Sequence, residues 1–384
     1  MEQQMTPKER IIASLEHRPV DRVPVYHASI SSRMASLLLG REAYVGGGIQ
    51  QWRESVALWN GDDAHREFLE RTRRDTVDVA KALDVDMVRP AYWRIARKPT
   101  KKIDDYTFLF GDPSGSWEIM RFYPETELFQ IIDRSPRLEP TEEDIEAEVE
   151  RLEKGIETYV PKTEEVCSDV IEALKRIDDE RAVAGMGVGV GVPNRSTIWF
   201  EMIAARPDLV RRYIEAQTEY TIRRIKCYEG IDVQVMLGGG DMAWNEGPIY
   251  SPKFFCEVMT PAFKRVTQAC HDIGKYYFFA SDGNLWPVAD HIFTFVDGFY
   301  EIDRRAGMDL RRLRERYPHL TLIGNISSHT LHMGTKEEVI AETRSCIEAA
   351  KELGSIIVGV SNLIVSQTPP ENFFAMLETI MNER

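Results

Sequence analysis

The stretch Tyr276-Tyr277-Phe278-Phe279-Ala280-Ser281-Asp282-Gly283-Asn284 decides the fold, because a continuous apolar run gives way at once to small and polar residues. An apolar run without polar alternation is typical of a parallel strand that is covered on both faces. The same change occurs at 233–241, where Val-Gln-Val-Met-Leu leads into three glycines and Asp241. A helical stretch separates the two runs, so the pattern predicts strands and helices that alternate around a parallel sheet.

Similar β-rich runs recur along the chain. The predicted strands are Arg22–His27, Val85–Arg89, Ala182–Val190, Val233–Gly239, Tyr276–Ala280, Gly298–Ile302, Leu320–Ile323 and Ile356–Val360. The predicted helices are Ala64–Leu83, Asp208–Glu229, Pro252–Ile273, Leu310–Arg316 and Lys336–Leu353. The last helix has a capping-box pattern at Thr335 and Glu338 and is closed by Gly354. The alternation fits an eightfold barrel or a doubly wound open sheet, and eight strands favour a (β/α)8 TIM barrel.

One segment interrupts the alternation. Residues 108–129 have the pattern of a β-hairpin, with a turn at 111–115, and an acidic helix is predicted at Glu139–Lys154. We therefore expect a single barrel domain over residues 1–384, with a β-hairpin and helix insertion at about 100–160. We expect the insertion on the active-site side of the barrel.

Composition limits the class of protein. The chain has 384 residues and a formal net charge of -14, which disfavours binding to nucleic acid or to anionic membranes. The first ten residues are polar, and no apolar run approaches the ~20 residues needed to span a bilayer, so we expect a cytoplasmic protein. The five cysteines are widely spaced without a Cys-x-x-Cys pair, which predicts reduced thiols.

Three carboxylates stand where predicted strands end, which is where barrel enzymes place their chemistry. Asp241 follows the fourth strand, Asp282 follows the fifth, and Glu301 lies near the end of the sixth. Each has a structural alternative, because an aspartate can cap a helix and Glu301 can pair with Arg304 or Arg305. We predict all three as catalytic residues.

Other side chains at strand ends are predicted to bind substrate. Arginines suit carboxylates or phosphates, asparagines supply hydrogen bonds, and aromatic rings form walls. A lone histidine is more often a core residue, and Arg195 is more often a surface residue. The predicted substrate-binding residues are His27, Arg89, Trp93, Arg195, Trp244, Tyr300, Asn325 and Asn362. The glycine run at 185–191 lacks the G-x-G-x-x-G spacing and a Walker lysine, so it predicts no nucleotide site.

An ordered set of short motifs runs along nearly the whole chain. It comprises Met5-Thr6-Pro7-Lys8-Glu9-Arg10, His17-Arg18-Pro19-Val20-Asp21-Arg22-Val23-Pro24-Val25, Asp241-Met242-Ala243-Trp244, Ser281-Asp282-Gly283-Asn284, Gly324-Asn325-Ile326 and Pro369-Pro370-Glu371-Asn372. The set resembles the uroporphyrinogen decarboxylase-like superfamily, and most nearly its corrinoid-linked methyltransferase branch. The resemblance implies a barrel, often a homodimer, with an open cleft at the carboxyl ends of the strands.

Two departures from the superfamily bear on activity. True uroporphyrinogen decarboxylases carry an R-Q-A-G-R stretch and a late histidine, whereas this chain reads Tyr26-His27-Ala28-Ser29-Ile30 and Asn362 at those places. Thiol-activating methyltransferases carry an H-x-C zinc motif, which here reads Ala280-Ser281-Asp282, and no cysteine follows Cys346. The comparison disfavours decarboxylation of that porphyrinogen and a zinc thiolate site.

The resemblance implies a methyltransferase that moves a methyl group from a small methylated compound to a separate corrinoid protein carrying cobalamin. For a methoxy-aromatic donor this is O-demethylation, and the site must protonate or coordinate the departing oxygen. Whether a metal is bound stays open, with His27, Asp241 and Glu301 as candidate hard ligands.

Two alternatives stay open. A decarboxylase of a tetrapyrrole or other polycarboxylate would need clustered arginines, for which Arg89, Arg94 and Arg195 are the candidates. A non-catalytic binding barrel is motivated by Ala280 and Asn362.

Overall fold

The computed structural model describes residues 4–136, 140–177, 180–193 and 196–384. The strands are β1 Ser29–Ile30, β2 Met87–Val88, β3 Lys101–Lys102, β4 Thr107–Gly111, β5 Trp117–Tyr123, β6 Leu128–Arg134, β7 Ala182–Val188, β8 Val235–Gly239, β9 Ala243–Trp244, β10 Gly247–Pro248, β11 Tyr276–Ala280, β12 Gly298–Tyr300, β13 Thr321–Ile323, β14 Ile356–Ile357 and β15 Leu363–Ile364. The helices are α1 Pro7–Leu15, α2 Ser32–Leu39, α3 Gly48–Asn60, α4 Asp62–Ala82, α5 Glu142–Thr158, α6 Thr163–Val166, α7 Ser168–Arg176, α8 Thr197–Ala205, α9 Pro207–Lys226, α10 Pro252–Phe254, α11 Thr260–Asp272, α12 Leu310–Arg316, α13 Ser328–Met333, α14 Lys336–Leu353 and α15 Pro370–Glu383.

Seven parallel strands lie side by side in the order β14-β13-β12-β11-β8-β7-β2. The segment Pro24–Tyr26 closes this sheet into a ring, because it hydrogen-bonds to both edges. Val358 N donates to Pro24 O, Tyr26 N donates to Val358 O, and Asp86 N donates to Val25 O on the other side. The predicted (β/α)8 barrel is confirmed, but the predicted strand Arg22–His27 does not form as a regular strand: it is reduced to a parallel bridge between Val25 and Val358, and β1 follows it at Ser29–Ile30. Pro24 has no N–H for the ladder, which limits strand pairing there.

The central strand β11 shows why these runs are apolar on both faces. Phe278 and Ala280 point into the barrel, where they join a buried interior cluster. Tyr277 and Phe279 point outward and pack under the surrounding helices. Since successive side chains of a strand alternate between its faces, a strand covered on both sides needs an uninterrupted apolar run. Helix α1 fills the floor of the same interior cluster with Ile11 and Leu15.

The helices follow the predicted stretches closely. Helices α12 and α14 have the predicted bounds, and the capping box between Thr335 and Glu338 forms at the start of α14. The predicted helix Pro252–Ile273 is instead divided by a π-helical turn at Phe255–Met259. Pro261 follows this turn and has no N–H to offer the carbonyl of Glu257, so the regular hydrogen-bond ladder cannot continue.

The insertion forms a four-stranded antiparallel sheet in the order β3-β4-β5-β6. The predicted hairpin is β4–β5, with Gly111 opposite Trp117, and β3 and β6 extend it on either side. The predicted acidic helix is α5. The insertion follows β2, so it leaves the barrel at the carboxyl end of a strand.

Two contacts join this sheet to the first β-to-α connection. The Phe122 ring stacks on Trp52 of α3, with centroids 4.5 Å apart. The Glu127 carboxylate accepts hydrogen bonds from Ser32 N at 2.9 Å and Arg33 N at 2.7 Å, at the N-terminus of α2. The insertion is therefore tied to the segment that follows the first strand of the barrel.

A buried ionic network lies at the amino end of the barrel, opposite the strand ends that carry the predicted site. The Asp86 carboxylate accepts from the Arg10 guanidinium, from Arg384 Nη1 at 3.1 Å and from Val25 N at 2.8 Å. Arg10 Nε also donates to Asp21 at 2.7 Å. Each of the charged groups in this network therefore has a partner of opposite sign.

Across the described ranges, we find no helix that is both long enough and apolar enough to cross a membrane. The cysteines are free thiols, as predicted, and Cys256 is exposed.

Candidate active site

The three predicted catalytic carboxylates come together because their strands are neighbours. Strand β11 lies between β8 and β12, and Ala280 is in register with both Gly239 and Tyr300. Asp282 and Glu301 follow the ends of β11 and β12 by one or two residues, and Asp241 follows the end of β8. Since parallel strands end at the same edge, the three side chains surround one mouth at the carboxyl end of the barrel.

The mouth raises the proton affinity of two of these carboxyl groups. Burial, and then the nearby charges of Asp241 and Asp303, raise the pKa of Asp282 to about 7. Burial, and then the charge of Asp282, raise the pKa of Glu301 to about 8. Because each carboxylate disfavours ionisation of the other, they titrate as an interacting pair.

Asn362 distinguishes the two members of the pair. Its Nδ2 donates a 2.6 Å hydrogen bond to Asp282 Oδ2. A donor of this kind stabilises the ionised carboxylate, so it opposes the rise in the pKa of Asp282. Asn362 therefore acts on Asp282, although it was predicted to bind substrate.

Arg89 is the cation that acts on Glu301. Its Nε donates to Ala91 O at 2.8 Å, its Nη1 donates to Ala28 O at 2.9 Å, and its guanidinium lies 4.4 Å from the centre of the Trp93 ring. Its charge opposes the rise in the pKa of Glu301.

The predicted pairing of Glu301 with Arg304 or Arg305 is not present in the described residues. Arg304 is directed elsewhere and bonds to Asn325 Oδ1 at 3.2 Å and to Cys346 Sγ at 3.3 Å. Glu301 itself adopts φ 63°, which turns the chain sharply after β12. The left-handed region is uncommon for a residue with a side chain, and such outliers cluster at functional sites.

The aromatic residues predicted as walls lie at different depths. Trp93 and Trp244 are 45% and 62% exposed at the rim of the mouth. Tyr300 is buried inside the barrel, where burial and the charge of Glu301 hold its pKa well above the usual range. The rim thus offers two exposed indoles, whereas Tyr300 lies beneath the carboxyl pair.

Two other predicted substrate-binding residues are engaged in the framework. His27 is buried, its Nδ1 accepts from Val360 N at 3.2 Å, and burial lowers its pKa to about 4, so it is neutral at physiological pH. The Asn325 amide bonds to Arg304 and donates to Met308 O at 3.2 Å. Neither side chain is directed to the carboxyl pair. Arg195 lies outside the described residues.

The model of the family described as uroporphyrinogen decarboxylase (URO-D) matches residues 143–382, which is more than half of the chain. The chain belongs to the uroporphyrinogen decarboxylase family. The match leaves out the first barrel segment, β2 and the antiparallel sheet of the insertion. The predicted family is therefore confirmed.

One solved structure resembles this uroporphyrinogen decarboxylase family member over nearly its whole length. A methyltransferase from Methanosarcina mazei matches with a TM-score of 0.63 at 16% identity, over 98% of this chain and 99% of its own. A 3-keto-D-glucoside 4-epimerase, YcjR, from E. coli matches 65% of this chain and 97% of its own, at 12% identity and a TM-score of 0.35. No curated protein sequence matches. The first likeness shows a shared fold over the full length.

The sequence interpretation missed Tyr26. Its hydroxyl is buried and has no hydrogen-bond partner in the described part of the chain, and its ring joins the interior cluster with Tyr300. Strand alternation would have found it, because Tyr26 and Ala28 share the face that points into the barrel.

The side chains at the mouth bear on whether this uroporphyrinogen decarboxylase family member could bind a metal ion there. Within the described part of the chain, no three His, Cys, Asp or Glu side chains are grouped so that they could hold a metal ion. The candidate set His27, Asp241 and Glu301 is not assembled, since His27 faces Val360. What the mouth provides is a pair of carboxyl groups that exchange protons near neutral pH.

Proposed function

We propose that this chain is a methyltransferase that takes a methyl group from a small methylated donor, such as a methoxy-aromatic compound, and delivers it to a separate corrinoid protein. Family membership and the full-length likeness to a methyltransferase fold support this proposal. The observation that carries it is the buried carboxyl pair, because Glu301 keeps its proton at neutral pH.

Cleavage of a methyl ether needs such a proton. The carbon–oxygen bond breaks, the oxygen keeps the electron pair, and it must be protonated because an alkoxide or phenoxide is a poor leaving group at neutral pH. The corrinoid, in its reduced form, supplies the nucleophile that accepts the methyl group. Glu301 donates its proton to the departing oxygen, and the products are an alcohol or phenol and a methylated corrinoid protein.

The remaining residues of the mouth keep Glu301 ready to donate. The negative charge of Asp282 opposes ionisation of Glu301, and Asn362 helps Asp282 to carry that charge. The charge of Asp241, which is more exposed, also raises the pKa of Glu301. The exposed indoles of Trp93 and Trp244 suit a flat apolar surface, such as the face of a corrinoid ring or of an aromatic donor.

Decarboxylation of a polycarboxylate is the second candidate, and the family match favours it. The charges of the mouth weigh against it. Of the arginines that such a reaction would need, Arg94 is paired with Asp169 at 2.8 Å, and Arg195 lies outside the described residues. Three carboxyl groups surround the mouth, so a substrate with several carboxylates would meet repulsion.

The test uses purified protein with a reduced corrinoid protein and a panel of methylated donors. The expected result is methylation of the corrinoid, which is followed by the change in its visible absorption. The demethylated product should form in an equimolar amount. The Glu301→Gln variant should lose this activity, and Asp133→Asn, on the exposed edge of the insertion, should keep it. Absence of methylation across the panel, together with coproporphyrinogen formed from uroporphyrinogen, would replace this proposal with the second candidate.

A further inference from the structure

A cavity of about 550 Å³ lies between helices α5 and α9 and the carboxyl end of strand β7. It is separate from the mouth of the barrel, since the described residues that line it include neither Asp282 nor Glu301. Sites that hold small molecules usually have volumes of about 300–1,000 Å³. The cavity is therefore large enough for a ligand of its own, whatever reaction takes place at the mouth.

The glycine run at 185–191 forms the floor of this cavity through Gly187 and Gly189. Gly187 adopts φ 84° at an irregularity in the pairing of β7 with β8, and the nearest atom to a Cβ added there is Arg224 Nη2, at 3.9 Å. At Gly189 an added Cβ would meet Gly239 O of β8 at 2.7 Å. The glycines thus allow the turn of β7 and its close approach to β8, and they leave the floor of the cavity without side chains.

The walls of the cavity are largely apolar. The Tyr220 ring stacks on Tyr159 with centroids 4.5 Å apart, and the Tyr213 ring packs against Trp199 with centroids 4.3 Å apart. Leu152 of α5 faces the cavity from the opposite helix. These contacts hold two aromatic rings and one aliphatic side chain around the space.

Two hydrogen bonds fix the position of α9 relative to the floor. Thr221 Oγ1 donates to Gly189 O at 3.1 Å, and Gly191 N donates to Gln217 Oε1 at 3.1 Å. Both bonds join the helix to the chain that leaves β7. The cavity is therefore formed before a ligand enters it, which lowers the entropic cost of binding.

Glu148 and Arg151 supply the charges of the cavity. They lie three residues apart on α5, a spacing at which opposite charges on a helix commonly pair. The neighbouring Glu150 and Lys154 do form an exposed pair, at 4.0 Å, whereas Glu148 and Arg151 form no ion pair with any residue that the structure describes. Burial, and then the charge of Glu148, raise the pKa of Tyr213, which indicates that this carboxylate lies beside the aromatic wall.

These two unpaired charges select the ligand. A carboxylate binds to an arginine and an ammonium group binds to a glutamate, and the Cβ atoms of residues three apart on a helix are about 5–6 Å apart. An α-amino acid carries both groups on one carbon atom, so a single molecule can reach Arg151 and Glu148 together. We infer that the cavity binds the zwitterion of an α-amino acid whose side chain is apolar or aromatic. This side chain packs against Leu152, Tyr213 and Tyr220 over the glycine floor.

A ligand with a net charge fits the cavity less well. An acid without an ammonium group pairs with Arg151 but is repelled by Glu148, and an amine without a carboxylate pairs with Glu148 but is repelled by Arg151. A longer zwitterion places its two charges farther apart than an α-amino acid does. The lining therefore favours the compact zwitterion over each of these classes.

Calorimetric titration of the full chain tests the inference. The ligands are L-leucine, L-phenylalanine, L-tyrosine and L-tryptophan, each compared with its amide, which lacks the carboxylate, and with its N-acetyl derivative, which lacks the ammonium group. We expect at least one amino acid to bind about tenfold or more tightly than both derivatives, because each derivative loses a charge-assisted hydrogen bond. 6-Aminohexanoate should bind more weakly than that amino acid.

Substitutions on α5 locate the binding. Arg151→Gln should weaken binding of the amino acid by about tenfold and leave the weaker binding of its amide unchanged, and Glu148→Gln should do the same with respect to the N-acetyl derivative. Glu150→Gln and Lys154→Gln, at the exposed pair on the same helix, are the matched controls and should change neither. Leu152→Trp fills the cavity and should abolish binding, while its melting temperature shows that the chain still folds.

Three results would overturn the inference. In the first, no amino acid binds more tightly than its two derivatives. In the second, an amino acid binds and neither Arg151→Gln nor Glu148→Gln weakens it, so that the ligand lies elsewhere. In the third, Glu301→Gln weakens binding and the α5 variants do not, which would place the amino acid at the mouth. Methyl transfer to a corrinoid protein is measured separately, so its presence or absence does not alter these outcomes.

Discussion

The two ends of the barrel treat buried charge in opposite ways. At the amino end, Asp86 is surrounded by Arg10, Arg384 and a backbone N–H, and these three partners oppose the rise in its pKa that burial causes. At the carboxyl end, Asp282 and Glu301 face each other and Asp241, and Glu301 has no ion-pair partner among the described residues.

This difference indicates that the two ends of the barrel have different roles. A buried carboxylate that is paired and hydrogen-bonded stays ionised and holds neighbouring segments together. A buried carboxyl group that lacks a cation keeps its proton instead, and the shifted pKa makes it useful as an acid. The same residue type therefore supports the fold at one end and chemistry at the other.

The largest expected effect is on catalysis at the carboxyl end. Glu301→Gln keeps the shape of the side chain but removes the transferable proton, so the rate of methyl transfer should fall by about 10²- to 10⁴-fold. Rapid-mixing absorption of the corrinoid measures this rate. A decrease of less than tenfold would move the acid role to another residue.

A second large effect should appear in stability at the amino end. Arg10→Met leaves Asp86 buried with one arginine fewer, and we expect the free energy of unfolding at pH 7 to fall by about 3–5 kcal/mol. Urea unfolding followed by circular dichroism measures it. Arg66→Met, at an exposed pair, should change it by less than about 1 kcal/mol. Equal effects of the two variants would mean that the buried network at the amino end contributes no more to stability than an exposed ion pair.

The carboxyl pair should also affect stability, with a definite sign. Folding raises both pKa values, so the folded chain binds protons more tightly than the unfolded chain. Stability is therefore lost as the pH rises from about 4 through about 8. At pH 9 the double variant Asp282→Asn and Glu301→Gln should have a free energy of unfolding several kcal/mol above that of the natural chain, since each raised pKa corresponds to up to about 4 kcal/mol. At pH 4 the two free energies should be nearly equal. Urea unfolding across this range checks the difference, which should be constant above pH 8.

The smallest expected effect is that of removing the hydrogen bond from Asn362 to Asp282. Asn362→Ala removes the 2.6 Å hydrogen bond to its carboxylate, so the pKa of Asp282 should rise by about one unit. Carboxyl carbon NMR of the labelled protein follows this titration. The control variant Asn60→Ala, at an exposed helix end, should leave the pKa of Asp282 unchanged. An unchanged titration in Asn362→Ala would mean that burial and charge alone determine that pKa.

Local pattern was enough to predict most of the framework. The apolar runs predicted β8 and β11, and the capping box predicted where α14 begins. The carboxylates could also be predicted as a group, because the ends of parallel strands must share an edge. These features depend on residues that are close in the sequence or on a rule of topology.

Pairings between distant residues could not be predicted in the same way. Asn362, which follows β14, meets Asp282, which follows β11, across the mouth of the barrel, and no sequence pattern indicates that contact. Arg304 bonds to Asn325 and not to Glu301. Glu301 adopts a left-handed conformation, which backbone propensity does not predict for glutamate. The role of Arg89 depends on two backbone carbonyls whose positions only the folded chain defines.

The Glu127 carboxylate extends from the insertion to the first turn of α2, and the first barrel segment leads directly into that helix. That segment carries both the Tyr26 ring and the carbonyl of Ala28 that holds Arg89. The antiparallel sheet of the insertion is therefore connected, through α2 and a few residues of chain, to the carbonyl group that holds Arg89 at the mouth.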